Sequence, residues 1–453
     1  MDHARIVFLS LFLGLISGLQ AVSLEVDPAV KSVRISLSGR LVATLTQPPW
    51  DAVIDFGPRI EPTELTAVGY DSHGDEIARA TQIVNLPRPV AEIEIVVHNK
   101  QDGEQDGEKG NAQVRPAAAE LRWQHRTFAH PQKAIIKVDS ISQRVGKDFS
   151  ASLPAVDWTR PHVISAEMDF DDGAVARREL VVGGESGFSD AIGTELTPVL
   201  VTQTTPHVPA KMEGCFSVDG QALRTGSVEL TDPLVILVKD PDSMEGAAIL
   251  GMKDAPRRYL DNVVVRGEAK LENGTIERIL WPISRQFVHE GKPTTILFEP
   301  SNDIPAATGG LLWLLTKTFS PRPVMEPRSV ADAVATAGVA AIERGRRRAV
   351  VLMLSSAEDR SLYAPETVRR YLARIGVPLF VWSATGPRPD LADRWGEIDD
   401  VSNVKRIRAA TDRIRQTLAE QRIVWLAVDS LAALRVQPKE SCGVVPVAKA
   451  REK

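Results

Sequence analysis

Along its first two hundred residues the chain alternates apolar and polar positions with a period of two. In "SVRISLSGRLVATL" (32–45) Val33, Ile35 and Leu37 share one face, and "AEIEIVVHN" (91–99) and "KAIIKVDSI" (133–141) repeat the rhythm. Successive side chains of a strand point to opposite faces, so this pattern predicts strands with one side buried. Ser-Gly at 38–39, Gly-Pro at 57–58 and Asp-Gly at 172–173 supply turns between them. Short strands punctuated this closely predict β-sandwiches rather than alternating β and α units.

The strand-rich half carries an internal repeat. "LTAVGYDSHGDEIARATQIV" (65–84) aligns with "ISAEMDFDDGAVARRELVV" (164–182) across a one-residue gap. Ala67 matches Ala166, Gly74 matches Gly173, and Ala78-Arg79 matches Ala176-Arg177. Each copy reads as a strand, an acidic turn closed by glycine and a second strand, which is a hairpin. Both resemble the last hairpin of bacterial immunoglobulin-like modules. Two tandem modules are expected, at 24–90 and 91–190, followed by a β connecting segment at 191–230. "NKQDGEQDGEKGNAQ" (99–113) lacks the acid spacing of a calcium loop and is expected as a flexible, solvated loop.

Near residue 230 the period changes. "PLVILVKD" (233–240) is a continuous apolar run, and helical patterns now alternate with such runs. Val330, Val334, Ala337 and Ala341 recur at helical spacing within 329–345, as do Val368, Tyr371, Leu372 and Ile375 within 364–376. Val404, Ile407, Thr411, Ile414 and Leu418 form a third stripe within 402–421, with Ser402 as the expected cap. Strands are expected at 234–239, 294–298, 348–354, 377–382 and 422–428. Fully apolar strands alternating with helices predict a mostly parallel sheet covered on both faces. The predicted fold is therefore multidomain: immunoglobulin-like sandwiches, a doubly wound, Rossmann-like α/β domain over 231–430, and a tail at 431–453.

The run from the 329–345 helix through "RRAVVLMLSSAEDRS" (347–361) to "VPLFVW" (377–382) resembles a von Willebrand factor type A domain. The likeness is good over 330–385, looser over 233–428, and is to bacterial exported members preceded by immunoglobulin-like modules. It implies adhesion or protein–protein interaction, often through a Mg²⁺ site of hard oxygen ligands with one open position. The family's first loop, Asp-x-Ser-x-Ser, falls on Asp240, Asp242 and Ser243, with Asp242 and Met244 at the serine positions. Its threonine falls on Arg328, and its later aspartate on Ser356. The resemblance thus implies a degenerate, metal-free site. Glu358 and Asp359 follow the strand end and are expected to start or cap the helix region.

Composition narrows the setting. "MDHARIVFLSLFLGLISGLQAVS" (1–23) has a polar head with Arg5, an apolar stretch from Ile6 to Leu19, and Ala21-x-Ser23. This reads as a cleaved secretory signal peptide. Its apolar stretch falls short of the roughly 20 residues that span a bilayer. An exported protein, periplasmic or extracellular, without a stable membrane span after cleavage is expected. Cys215 and Cys442, the only cysteines, can pair in an oxidising compartment, and the sequence leaves that pairing open. A net charge of −5 spread over 453 residues argues against a nucleic-acid partner.

Catalytic signatures are missing from the sequence. There is no HExxH, no Cys/His metal spacing, no Gly-x-Ser-x-Gly, no Walker loop and no GxGxxG; "GGESG" (183–187) lacks the nucleophile spacing. His125 and His130 read as a strand–loop pair, "GGLLWLLTK" (309–317) as a core helix, and "RWGEIDD" (394–400) as a loop. "ERGRRR" (343–348) reads as a solvated helix end. The expected function is non-enzymatic interaction with a protein partner, without a cofactor. Two alternatives stay open: Mg²⁺- or Mn²⁺-dependent adhesion through the altered loop, and an extracytoplasmic hydrolase with an unrecognised site.

Overall fold

The structure is a computed structural model, and it describes residues 4–10, 15–87, 89–101, 114–126, 128–182, 192–205, 212–239, 271–282, 285–289, 292–298, 301, 303–305, 311–316, 328–343, 345–354 and 358–447. The first module is built from β1 (Ile6–Phe8), β2 (Leu19–Val26), β3 (Ser32–Leu37), β4 (Arg40–Leu45), β5 (Asp51–Asp55), β6 (Thr63–Tyr70) and β7 (Glu76–Val84). A sheet in the order β4-β3-β6-β7 faces one in the order β1-β2-β5. Val33, Ile35 and Leu37 lie in the core between them, as the alternation predicts. Part of the expected signal peptide belongs to this core. Ile6 pairs with Val26, and Ile6 and Phe8 pack with Val22 and Leu24.

The second module comprises β8 (Ala91–Gln101), β9 (Val114–His125), β10 (Pro131–Val138), β11 (Ile141–Gln143), β12 (Ser150–Ser152), β13 (His162–Phe170) and β14 (Val175–Val182). The sheet β12-β9-β8 packs on β11-β10-β13-β14 around Ile95, Leu121, Ile136, Ile164 and Met168. Both repeat copies form their hairpins, β6–β7 and β13–β14. Gly74 and Gly173 take φ of 88° and 79° at the turns, a region that favours glycine. Ala67, Ala166, Ala78 and Ala176 are all buried, so the repeat preserves inward positions. His125 and His130 both serve structure: the His125 ring accepts from the Ala129 N–H, and the His130 N–H donates to Asp171. Residues 102–113 and 183–191, which include most of the acidic loop and "GGESG", lie outside the described residues.

The second sheet does not stop at the module. It continues through β15 (Ile192–Gln203), expected only as a connection, to β27 (Gln421–Ala427) and β18 (Thr225–Glu229). The small strands β16 (Phe216–Val218) and β17 (Gln221–Ala222) lead into β18. The disulfide between Cys215 and Cys442 joins this region to the C-terminal segment across 227 residues.

The α/β unit contains β19 (Leu234–Val238), β20 (Ile276–Leu280), β21 (Arg285–His289), β22 (Lys292–Leu297) and β23 (Ile304–Pro305). It continues with α1 (Leu311–Thr316), α2 (Val330–Ile342), β24 (Arg348–Met353), α3 (Pro365–Arg374), β25 (Leu379–Ser383), α4 (Ala392–Trp395), β26 (Ile398–Asp400) and α5 (Val404–Glu420). Its sheet runs β23-β20-β19-β24-β25-β26, parallel except at β23. Helices α2 and α3 bury one face, α1 and α5 the other. The expected core helix is present, with Leu311, Leu314 and Leu315 fully buried.

Four expectations need correction. The 422–428 segment is a strand but not of the parallel sheet: β27 runs antiparallel between β15 and β18. Ile423, Val424, Trp425 and Leu426 are all buried, so no face pattern distinguishes a parallel from an antiparallel setting. The 294–298 segment forms β22, which pairs with β21 in a separate hairpin. "RWGEIDD" is not all loop, since its last three residues are the edge strand β26. The cap of α5 is Asn403, whose side chain accepts from the Arg406 N–H, rather than Ser402.

Candidate functional site

The carboxyl ends of parallel strands are where ligands usually bind in open α/β sheets. Strand β24 delivers the segment after Leu354 to this end. Of the degenerate metal-site positions, Asp240, Asp242, Ser243 and Ser356 lie outside the described residues, and Arg328 is described. Arg328 is buried and its backbone forms an isolated parallel β-bridge with that of Asp359, while the Arg360 N–H donates to the Arg328 carbonyl at 2.7 Å.

The same loop closes the start of α2. The first N–H groups of a helix have no partner within it and carry its positive end. Here Asp359 Oδ1 accepts from the Val330 N–H at 2.9 Å. Ser361 Oγ accepts from the Ala331 and Asp332 N–H groups at 2.8 and 3.1 Å. The Asp332 carboxylate in return accepts from the Leu362 and Tyr363 N–H groups at 2.9 and 3.1 Å. Burial raises the Asp332 pKa, the two backbone donors oppose that, and the charge on Asp359 adds to the rise. Asp359 thus caps a helix, as the sequence suggests, but it caps α2, which precedes it, rather than the helix that follows.

The described residues here do not fit a divalent cation. Arg328 brings a buried positive side chain where the family pattern has a hydroxyl, and Asp359 Oδ1 and Ser361 Oγ are engaged by backbone donors. A hard cation needs carboxylate and hydroxyl oxygens turned toward it. The loop instead presents Leu362 outward, 78% exposed, beside the ion pair of Arg360 and Glu358 at 3.2 Å.

Sequence reasoning missed the buried charges of this unit. "ERGRRR" is not simply a solvated helix end, because Arg347 and Arg348 are both buried. Arg347 donates to the Thr231 carbonyl at 2.5 Å and to the Leu418 carbonyl at 2.9 Å, and pairs with Glu272. Leu418 lies in the last turn of α5, where unpaired carbonyls favour a cation. On β20, Glu277 is fully buried without a hydrogen-bond partner among the described residues, and burial pushes its pKa up to about 8. The apolar neighbours Ile276, Ile279 and Leu280 mark that strand in the sequence, but nothing there reveals that the intervening glutamate points inward.

No protein-family model matches the chain, and no curated protein matches it. Among solved structures, fibronectin(III)-like modules of Clostridium thermocellum CbhA are 15% identical, covering 40% of this chain and 93% of that one, with a TM-score of 0.16. The central fibronectin-III array of RIM-binding protein is 12% identical over 48% of this chain and 83% of that one, with a TM-score of 0.21. The ArnB paralog VWA2 from Sulfolobus acidocaldarius is 8% identical over 65% and 66%, with a TM-score of 0.20. Scores this low place the chain in no family.

Proposed function

We propose that the chain is an exported, non-enzymatic interaction protein, with sandwich modules carrying a type A-like α/β domain that works without a metal or other cofactor. The observation that carries this reading is the strand-end loop. Asp359 and Ser361 occupy the α2 donors, Arg328 is buried beside them, and Leu362 faces outward. An exposed apolar side chain close in sequence to an exposed ion pair suits the centre of a small protein contact. The pairing of β27 with β15 supports a presenting role, because it ties the α/β unit to the second module through backbone hydrogen bonds. The partner is a protein reached outside the cytoplasm.

The test places a photoreactive phenylalanine analogue at position 362 and cross-links the full-length protein in its native compartment, with EDTA present. A discrete cross-linked protein is expected, and adding Arg360→Glu should abolish it. A cross-link that needs Mg²⁺, or that survives Arg360→Glu, would contradict the reading.

A further inference from the structure

A cleft of about 570 Å³ lies where the linker between modules, the second module and the α/β unit meet. It is at the opposite end of the parallel sheet from the loop above, because Arg348 begins β24. Its volume suits a small organic ligand. Pro198, Trp425 and Val447 give it an apolar wall.

Five arginines line it, Arg177, Arg178, Arg348, Arg370 and Arg374, and the last three lack an acidic partner among the described residues. Arg348 is 5% exposed, and its guanidinium donates to the carbonyls of Gly376, Arg346 and Ile375 at 3.3, 3.4 and 3.5 Å. These bonds are long, and no carboxylate among the described residues pairs with it. Burial pushes its pKa down to about 9, whereas buried charges are ordinarily paired. Arg370 and Arg374, one turn apart on α3, line the same cleft, are exposed, and make no ion pair among the described residues. The acidic lining is weaker: Glu343 lies 3.6 Å from Arg126, and Glu92 is exposed at the margin. Arg177 also lines the cleft but is held by Glu167 and Glu229.

We propose that this cleft binds a small apolar carboxylate, its charged group held by Arg348, Arg370 and Arg374 and its body against Pro198, Trp425 and Val447. A guanidinium presents paired donors that match a carboxylate, and Arg348, Arg370 and Arg374 line the cleft with no carboxylate paired to them among the described residues. The apolar wall favours an organic anion over an inorganic one.

Titration calorimetry on the full chain tests this with octanoate and octanamide, which differ mainly in charge. Octanoate should bind saturably and octanamide at least about tenfold more weakly, as loss of a charged hydrogen bond implies. The double variant Arg370→Ala/Arg374→Ala removes only exposed side chains, so its unfolding temperature should hold while octanoate affinity falls about tenfold or more. An apolar tripeptide with a free carboxylate, compared with its amide, distinguishes the source. Tighter binding of the tripeptide acid than of octanoate assigns a chain terminus, and the reverse assigns a free acid. Acid and amide binding equally, the double variant binding as wild type, or no saturable binding of either acid would overturn the proposal.

Discussion

The two ends of the parallel sheet treat charge in opposite ways. At the carboxyl end, Asp359, Ser361 and Asp332 meet backbone N–H groups, and loop and helix close on each other. At the amino end, Arg347 and Arg348 meet backbone carbonyls, while Arg370 and Arg374 stay exposed. Among the described residues, the first end pairs side-chain acceptors with backbone donors, and the second leaves Arg370 and Arg374 without an ion pair. At the carboxyl end the described loop residues serve the start of α2, and at the amino end described arginines line a cleft.

The largest effect expected at the amino end comes from Arg347. Replacing it by Leu leaves Glu272 and the Thr231 and Leu418 carbonyls without their donor. Arg347 is buried but Glu272 is 34% exposed, so losing these charged hydrogen bonds should cost about 1.5–3 kcal/mol, readable in urea unfolding. A loss under about 1 kcal/mol would show that this end is not held by its buried arginine.

Between the two ends, Glu277 gives the sheet a pH dependence of definite sign. Its folded pKa, raised from 4.5 to about 8, means that the native state holds its proton over the interval in which the unfolded chain has lost it. The stability it contributes is complete below about 4.5 and is lost as pH rises through about 8, by a few kcal/mol in all. Glu277→Gln should flatten that decline. Identical slopes in the two proteins would remove Glu277 as its cause.

At the carboxyl end the expected effect is smaller. Asp359→Ala removes an acceptor for the Val330 and Ser361 N–H groups and should cost about 1–2 kcal/mol, the usual value of a helix cap. Asp359→Asn, which keeps an oxygen acceptor, should recover part of it. If both variants match wild type in thermal unfolding, the loop does not close on α2.

The contrast between the ends was only half legible in the sequence. Period-two alternation exposed both sandwiches, and the 65–84 and 164–182 repeat located their hairpins because a turn needs its glycine wherever it recurs. Helical spacing located α2, α3 and α5 for the same reason, as one face of each must be apolar. Strand partnership was another matter. β27 and the true strands of the parallel sheet are buried on both faces, and such runs carry no record of their neighbours. Arg347 and Arg348 look like any basic helix end until the carbonyls of α5 and α3 are seen closing over them. The pairing of Cys215 with Cys442 depends on 227 residues of intervening fold, beyond the reach of local pattern.

On the proposed reading, the carboxyl end of the sheet is closed by Asp359, Ser361 and Asp332 and needs no cation. Thermal unfolding of the full chain, in EDTA and then in millimolar Mg²⁺ or Mn²⁺, tests it most directly, because a ligand bound only by the native state raises the midpoint. The same midpoint is expected in all three solutions. A rise of several degrees with either metal, lost on Asp240→Ala, would contradict it.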